Sequence, residues 1–210
     1  MSSLLIHTVF NNIIKKIIES DIKNIRLLSD INVIKWLFGN TSFLPKTNCK
    51  TKRETFTINK QNEDIWGRQQ VKKLRPHWDK NQWTTLFGEY IVEELFIIKG
   101  NTVSTPIKKE NFRPDRETEY SILEVKTQTY FTTGTAGEKI LGTGFKYSSI
   151  PKLYGKPLDI ICLGGAEKEG RYKYGILEGT KMTQEKSAIL DLLKTFDINY
   201  IGITDILKKL

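Results

Sequence analysis

Pro114-Asp115 and, a hairpin's length later, Glu124-Val125-Lys126 are the residues whose types and spacing suit chemistry. Side chains in a strand alternate between faces, so Glu124 and Lys126 project to one side and Val125 to the other. A chain reversal near Glu119-Tyr120 sets Asp115 across from Glu124, roughly 5 Å away. Two carboxylates and one ammonium then share a patch of sheet. Carboxylate oxygens are hard ligands for Mg²⁺, which takes one or two of them along with waters and phosphate oxygens. A lysine beside them can orient a water or, as the neutral amine, deprotonate it, and as the ammonium balance the charge of a phosphorane-like transition state. That is equipment for hydrolysing a phosphodiester. Glu-x-Lys also decorates ordinary solvated strands, so the spacing alone is a hypothesis. Its context sharpens it: Leu123 and Val125 flank the acid, and residues 120–130 read as a strand of β-rich composition.

The elements that must position these groups come from a chain of 210 residues, enough for one domain or a domain with a small appendage. Hydrophobic residues make up 39% and aromatics 10%, which supports a packed core. No apolar run reaches the roughly 20 residues of a membrane span. Residues 1–10 lack the basic start and long apolar stretch of a signal peptide, so the expectation is against export. Cys49 and Cys162 make neither a disulfide framework nor a zinc cluster, and a reducing, cytoplasmic setting is expected. His7 and His77, the only histidines, argue against a histidine-based site. The net charge of +9, from 33 Lys plus Arg against 24 Asp plus Glu, fits a polyanionic partner.

Along the chain, Phe10, Ile13, Ile14, Ile17, Ile18 and Ile25 follow helical spacing, and Asp30 can cap a second helix carrying Val33, Ile34, Trp36 and Leu37. Residues 41–62 read as a polar, basic loop with a short strand, either a solvated connection or an arm that clamps nucleic acid. We therefore divide the chain into a helical segment with a basic arm, 1–62, and a core, 63–210, which can also be one domain. Arg68, Gln69, Gln70, Lys72, Lys73 and Arg75 are candidates for contact with bases and phosphates, while Trp66 and Trp78 read as core or hinge. Residues 82–98 are the best helix, capped by Asn81 or Asp79 and ended by Gly100. Within it Glu89 either completes a metal site or is a plain surface glutamate; Glu93 and Glu94 read as solvated. Residues 101–107 read as a short strand. Residues 132–140 form a loop feeding a helix, where Thr133, Thr135, Lys139 and Lys146 are phosphate-contact candidates; a tight turn of small residues is the alternative. Residues 157–163 read as a buried strand, 172–177 as another, 184–194 as a helix and 198–203 as a last strand.

The order helix with Glu89, strand, Asp115 strand, Glu124-x-Lys126 strand, helix, strand resembles the PD-(D/E)xK nuclease superfamily over roughly residues 82–165. The resemblance implies an α/β fold with a mixed central sheet flanked by helices, restriction-endonuclease-like. It implies that Asp115 and Glu124 hold Mg²⁺ (or Mn²⁺ as substitute), that Lys126 is the catalytic lysine, and that Glu89 is the acidic helix residue able to hold a second ion. A small chain with no NTPase module is most similar to a type II restriction endonuclease. Such a protein is expected to cut double-stranded DNA as a homodimer, since a two-fold protein mirrors a palindrome, leaving 5′-phosphate and 3′-hydroxyl. Repair nickases, junction resolvases and exonucleases share that core. A non-catalytic DNA-binding protein and a helical assembly protein are the readings from other classes.

Overall fold

The β-rich run through Glu124 forms strand β3 (Ile122–Gln128) in the computed structural model, which describes residues 3–45, 47, 49–132, 136–178 and 181–210. Before it come β1 (Val103–Ser104) and β2 (Arg116–Thr118), and after it β4 (Leu158–Gly164) and β5 (Ile198–Gly202). Among the described residues they make one mixed, open, five-stranded sheet in the order β1-β2-β3-β4-β5. The first three strands run antiparallel, while β3, β4 and β5 run parallel. Parallel neighbours need crossovers. Helices α5 (Ala136–Lys146) and α6 (Ile150–Tyr154) supply the first; α7 (Gly165–Glu169), a π-helical turn (Gly170–Tyr174) and α8 (Gln184–Thr195) supply the second. The chain is thus α/β, a sheet flanked by helices.

Alternation decides which helices cover which face. Leu123, Val125, Ile161 and Leu163 join one core with α1 (Ser3–Glu19), α2 (Ile31–Leu37) and α4 (Thr84–Ile98). Ile122 and Ile160 point the other way, into a second cluster with Ile150, Leu158 and Ile198. Glu124 and Lys126 share the parity of Ile122 and leave the main core. Helix α4 lies so close on β3 that a Cβ at Gly88 would overlap Thr127 Oγ1. Phe87 of α4 packs among Trp36, Trp66 and Trp83, with ring centroids 5.2–6.1 Å apart. Trp66 and Trp78 are core residues, as expected from sequence.

Several sequence expectations are corrected. The polar stretch is a loop only to residue 51, because α3 (Lys52–Leu74) begins there. Thr51 accepts from Glu54 N and Glu54 returns to Thr51 N, a reciprocal cap that starts a helix with few apolar positions. This helix runs unbroken through residues 62 and 63. The strand expected over 172–177 is instead the π-helical turn, ended by Gly175 at φ +68°. The strand over 101–107 shrinks to β1. Helix α4 starts at Thr84, and neither Asn81 nor Asp79 caps it. Asp30 does cap α2, accepting from Asn32 N at 2.9 Å. Glu94 is buried rather than solvated: it accepts the N–H groups of Arg26, Leu27 and Leu28 at 2.8–3.1 Å, satisfying donors of a turn that packs against α4.

Candidate functional site

Thr118 starts the geometry of the site. Its N–H donates to Ser121 O at 2.9 Å and its hydroxyl accepts from Ser121 N at 2.9 Å, closing the reversal at Glu119-Tyr120. That fixes Arg116 opposite Leu123 and Glu117 opposite Ile122. The same register carried one residue further puts Asp115 opposite Glu124. Strand β2 ends at Arg116, so from Glu124 onward that edge of β3 faces no strand among the described residues. Asp115 fills the first gap: its Oδ2 accepts from Val125 N at 2.7 Å, as a neighbouring strand's carbonyl would.

Glu124 is 4% exposed, and its Oε1 accepts from Lys126 Nζ at 2.7 Å. Burial pushes the Glu124 carboxyl above its ordinary range, and the Asp115 charge pushes it further, against the pull of Lys126. Asp115 is raised too, chiefly by burial, with the Val125 N–H, Lys126 and Arg116 working the other way. The two carboxylates thus feel each other's charge, and one ammonium is bonded to Glu124 and acts on Asp115 through its charge. Such a set is short of positive charge.

Arg116 binds the helix to this hairpin. Its guanidinium donates to Glu89 at 2.8 Å, to Glu93 at 2.9 Å and to the Asp115 carbonyl at 2.7 Å. Glu89 is therefore near the pair, and the Asp115 charge helps to raise it after burial, but its carboxylate is turned to Arg116. Among the described residues no three His, Cys, Asp or Glu side chains gather as a metal cage. Asp115 and Glu124 are a donor set of two hard oxygens, buried and net negative, and two carboxylates are what Mg²⁺ commonly takes from protein. The residues fit that ion.

The open edge of β3 forms the floor of a groove of about 800 Å³. Lys60, Asp64 and Arg68 line it from successive turns of α3, Gln82 to Thr85 from the start of α4, and Lys139 from α5. Asp64 accepts from Lys60 Nζ at 2.7 Å and from Trp83 Nε1 at 3.0 Å, which leaves Arg68 and Lys139 as the cations of the wall without a carboxylate drawn to them in this way. Further along the floor, Thr127 Oγ1, Gln128 Oε1 and Thr129 Oγ1 have no hydrogen-bond partner.

The expected nucleic-acid contacts divide accordingly. Arg68 and Lys139 line the groove. Gln69 and Lys72 are exposed on α3, and Lys146 is exposed at the end of α5. Lys73 pairs with Asp30 at 2.9 Å and Arg75 donates to Tyr90 Oη at 2.6 Å, so both already serve packing. Gln70 is corrected: at 4% exposure it faces the core side of α3, one residue round from the polar stripe. Thr133 and Thr135 lie outside the described residues. Sequence reasoning held Lys60 only as part of a basic arm and missed Asp64; both become visible as an i, i+4, i+8 stripe with Arg68 once α3 is known to be helical. It also missed Tyr147, whose ring lies 5.9 Å from Lys126 Nζ and 4.8 Å from Lys146 Nζ, and whose phenol is pushed up to about 12 by burial and the Glu124 charge. No sequence signal marks that tyrosine.

No helix among the described residues is long and apolar enough to cross a membrane. No protein-family model, curated protein or solved structure matches the chain, so its function must be read from this groove.

Proposed function

We propose that this chain is a Mg²⁺-dependent endonuclease acting on double-stranded DNA, of the PD-(D/E)xK kind and closest in character to a type II restriction enzyme. One observation carries the reading: Asp115, Glu124 and Lys126 converge at the open edge of one strand, inside a groove walled by cations. Asp115 and Glu124 would hold the ion, with Mn²⁺ as a substitute. When bound, the ion supplies a lowered pKa for a water and neutralises charge on the phosphate. Lys126, on the same face as Glu124, would orient the attacking water through its ammonium, and the proton that water loses would leave to solvent. Arg68 and Lys139 offer charge to the flanking phosphates. Hydrolysis in this manner leaves 5′-phosphate and 3′-hydroxyl ends. A homodimer would present two such grooves to a palindromic site.

The test is plasmid DNA with Mg²⁺, with an EDTA control. Asp115→Ala, Glu124→Ala and Lys126→Ala should each lower cleavage by about 10²–10⁴-fold while DNA binding persists. Nicking by all three variants at the wild-type rate would overturn the assignment. Binding without cutting by the wild type would favour a non-catalytic DNA-binding role.

A further inference from the structure

We propose that the adjoining outer faces of α5 and α8 are where a second copy of this chain docks; the choice of that occupant rests in part on the nuclease reading above. Both helices return the chain between parallel strands. Both cover the same sheet face, α5 through Ile140 beside Cys162 and α8 through Leu193 in the cluster of Ile160 and Ile198. They lie against each other near their C-terminal ends. A Cβ at Gly144 would come 3.2 Å from Leu193 Cδ1 and from Tyr200 Oη, which accepts the Gly144 N–H. A helix in such a layer turns one apolar stripe inward and polar residues outward. Helix α8 departs from that pattern. Leu190 and Leu193 are its half-buried side, yet Ile189, Leu192 and the C-cap Phe196 form a second stripe, 54–60% exposed. In α5, Ile140 and Thr143 are buried while Leu141 and Phe145, one turn apart, are exposed, Phe145 at 87%. Single apolar residues on a surface need no account; five on two adjoining helices mark an interaction site.

The charges around the face select the partner. Each helix carries an exposed acid in its first turn and an exposed base in its last: Glu138 and Lys146 on α5, Glu185 and Lys194 on α8. Lys194 also pairs with Asp191 at 2.9 Å, an exposed contact that exchanges at little cost. A two-fold axis through the face sets each helix antiparallel to the one it meets. Every acidic end then faces a basic end, and the helix dipoles oppose. Contact between identical patches demands this self-complementarity. A polyanion drawn to Lys146 and Lys194 would instead be repelled at Glu138 and Glu185. Helix α5 also lines the groove through Lys139 and Ile140. Joining two copies here therefore sets two grooves on either side of one axis, where a single dimer addresses both strands of a duplex.

Sedimentation equilibrium reads the association of wild type, Leu192→Glu and Phe145→Glu, with circular dichroism to follow folding. Wild type should be a dimer, and each glutamate should raise its dissociation constant about 100-fold or more, because the contact would bury two unpaired charges. Glu185→Lys and Lys194→Glu should each loosen the dimer by up to about tenfold, whereas an equimolar mixture of the two should regain wild-type association, since only the mixed dimer restores both pairs. A wild type that stays monomeric at about 100 µM would overturn the inference and leave the face to a different partner. Folded Leu192→Glu and Phe145→Glu proteins that dimerise like wild type would also overturn it, moving the contact elsewhere. Should both glutamate variants fail to fold, the charge-reversal mixture decides, and no gain on mixing refutes the two-fold contact. Plasmid cleavage keeps the two readings apart. A wild type that dimerises through this face but never cuts sinks the nuclease reading alone. In a protein that does cut, Leu192→Glu should nick plasmid where wild type linearises it.

Discussion

Glu63 and Glu94 are as buried as Glu124, yet they live in a different kind of place. Glu63 accepts from Trp36 Nε1 at 2.7 Å and from the N–H groups of Tyr130 and Phe131 at 3.0–3.3 Å; Glu94 accepts three consecutive backbone N–H groups. Each carboxylate closes the end of a segment that has no secondary-structure partner, and neither lines the groove. Asp115 and Glu124 instead act on each other's charge and line the groove. Burial raises all four. The difference lies in what opposes it: chiefly fixed N–H donors in the first pair, and in the second one Val125 N–H together with the side chains of Lys126, Arg116 and Tyr147. A carboxylate surrounded by donors is finished as structure, whereas a pair of like charges needs a further cation.

The contrast breaks most visibly through stability. Replacing Glu63 by Gln turns an amide nitrogen towards donors that have no other acceptor, and should cost about 2–3 kcal/mol in urea unfolding. Burial raises Glu63 too, which offsets part of that cost at neutral pH; at Glu124, met among the described residues by a lysine and no backbone N–H, the offset should prevail. Its folded pKa lies above the ordinary value, so the folded state binds protons more tightly than the unfolded one. Stability from this group is therefore present below the ordinary carboxylate range and lost as pH rises through the raised value. Glu124→Gln should accordingly unfold at a higher urea concentration than wild type at pH 7 and match it below the ordinary carboxylate range. A Glu124→Gln protein less stable than wild type at pH 7 would place Glu124 with the structural carboxylates. The smallest effect concerns the groove wall. Arg68→Ala should reduce the slope of log affinity against log salt by about 1 for duplex DNA and weaken all sequences alike.

How far the sequence revealed this depends on range. The hairpin was legible because its determinants are local: alternation through Leu123, Glu124 and Val125, and a reversal of fixed length. The central strands and the helix at 184 were legible for the same reason. Helix α3 was not, since its polar composition hides a period that only the Thr51–Glu54 cap betrays. Gln70 and Glu94 were misplaced because a polar residue's burial depends on partners far along the chain, as with the three amides that meet Glu94 from 66 to 68 residues away. Tyr147 belongs to the same class: it comes near Lys126 because the α5–α6 junction folds back over β3, and nothing near position 147 records it.

The early end of β2 has one more consequence. A central strand whose flank stops being paired offers backbone amides and carbonyls to any extended chain that comes near, the usual beginning of sheet-to-sheet aggregation. Here the exposed length begins at a carboxylate already seated on the first free amide, with a second charged residue, Lys126, just beyond. Groups suited to gripping an ion therefore also work as gatekeepers, repelling a stray β-segment from the very edge that a nucleic-acid strand would have to approach.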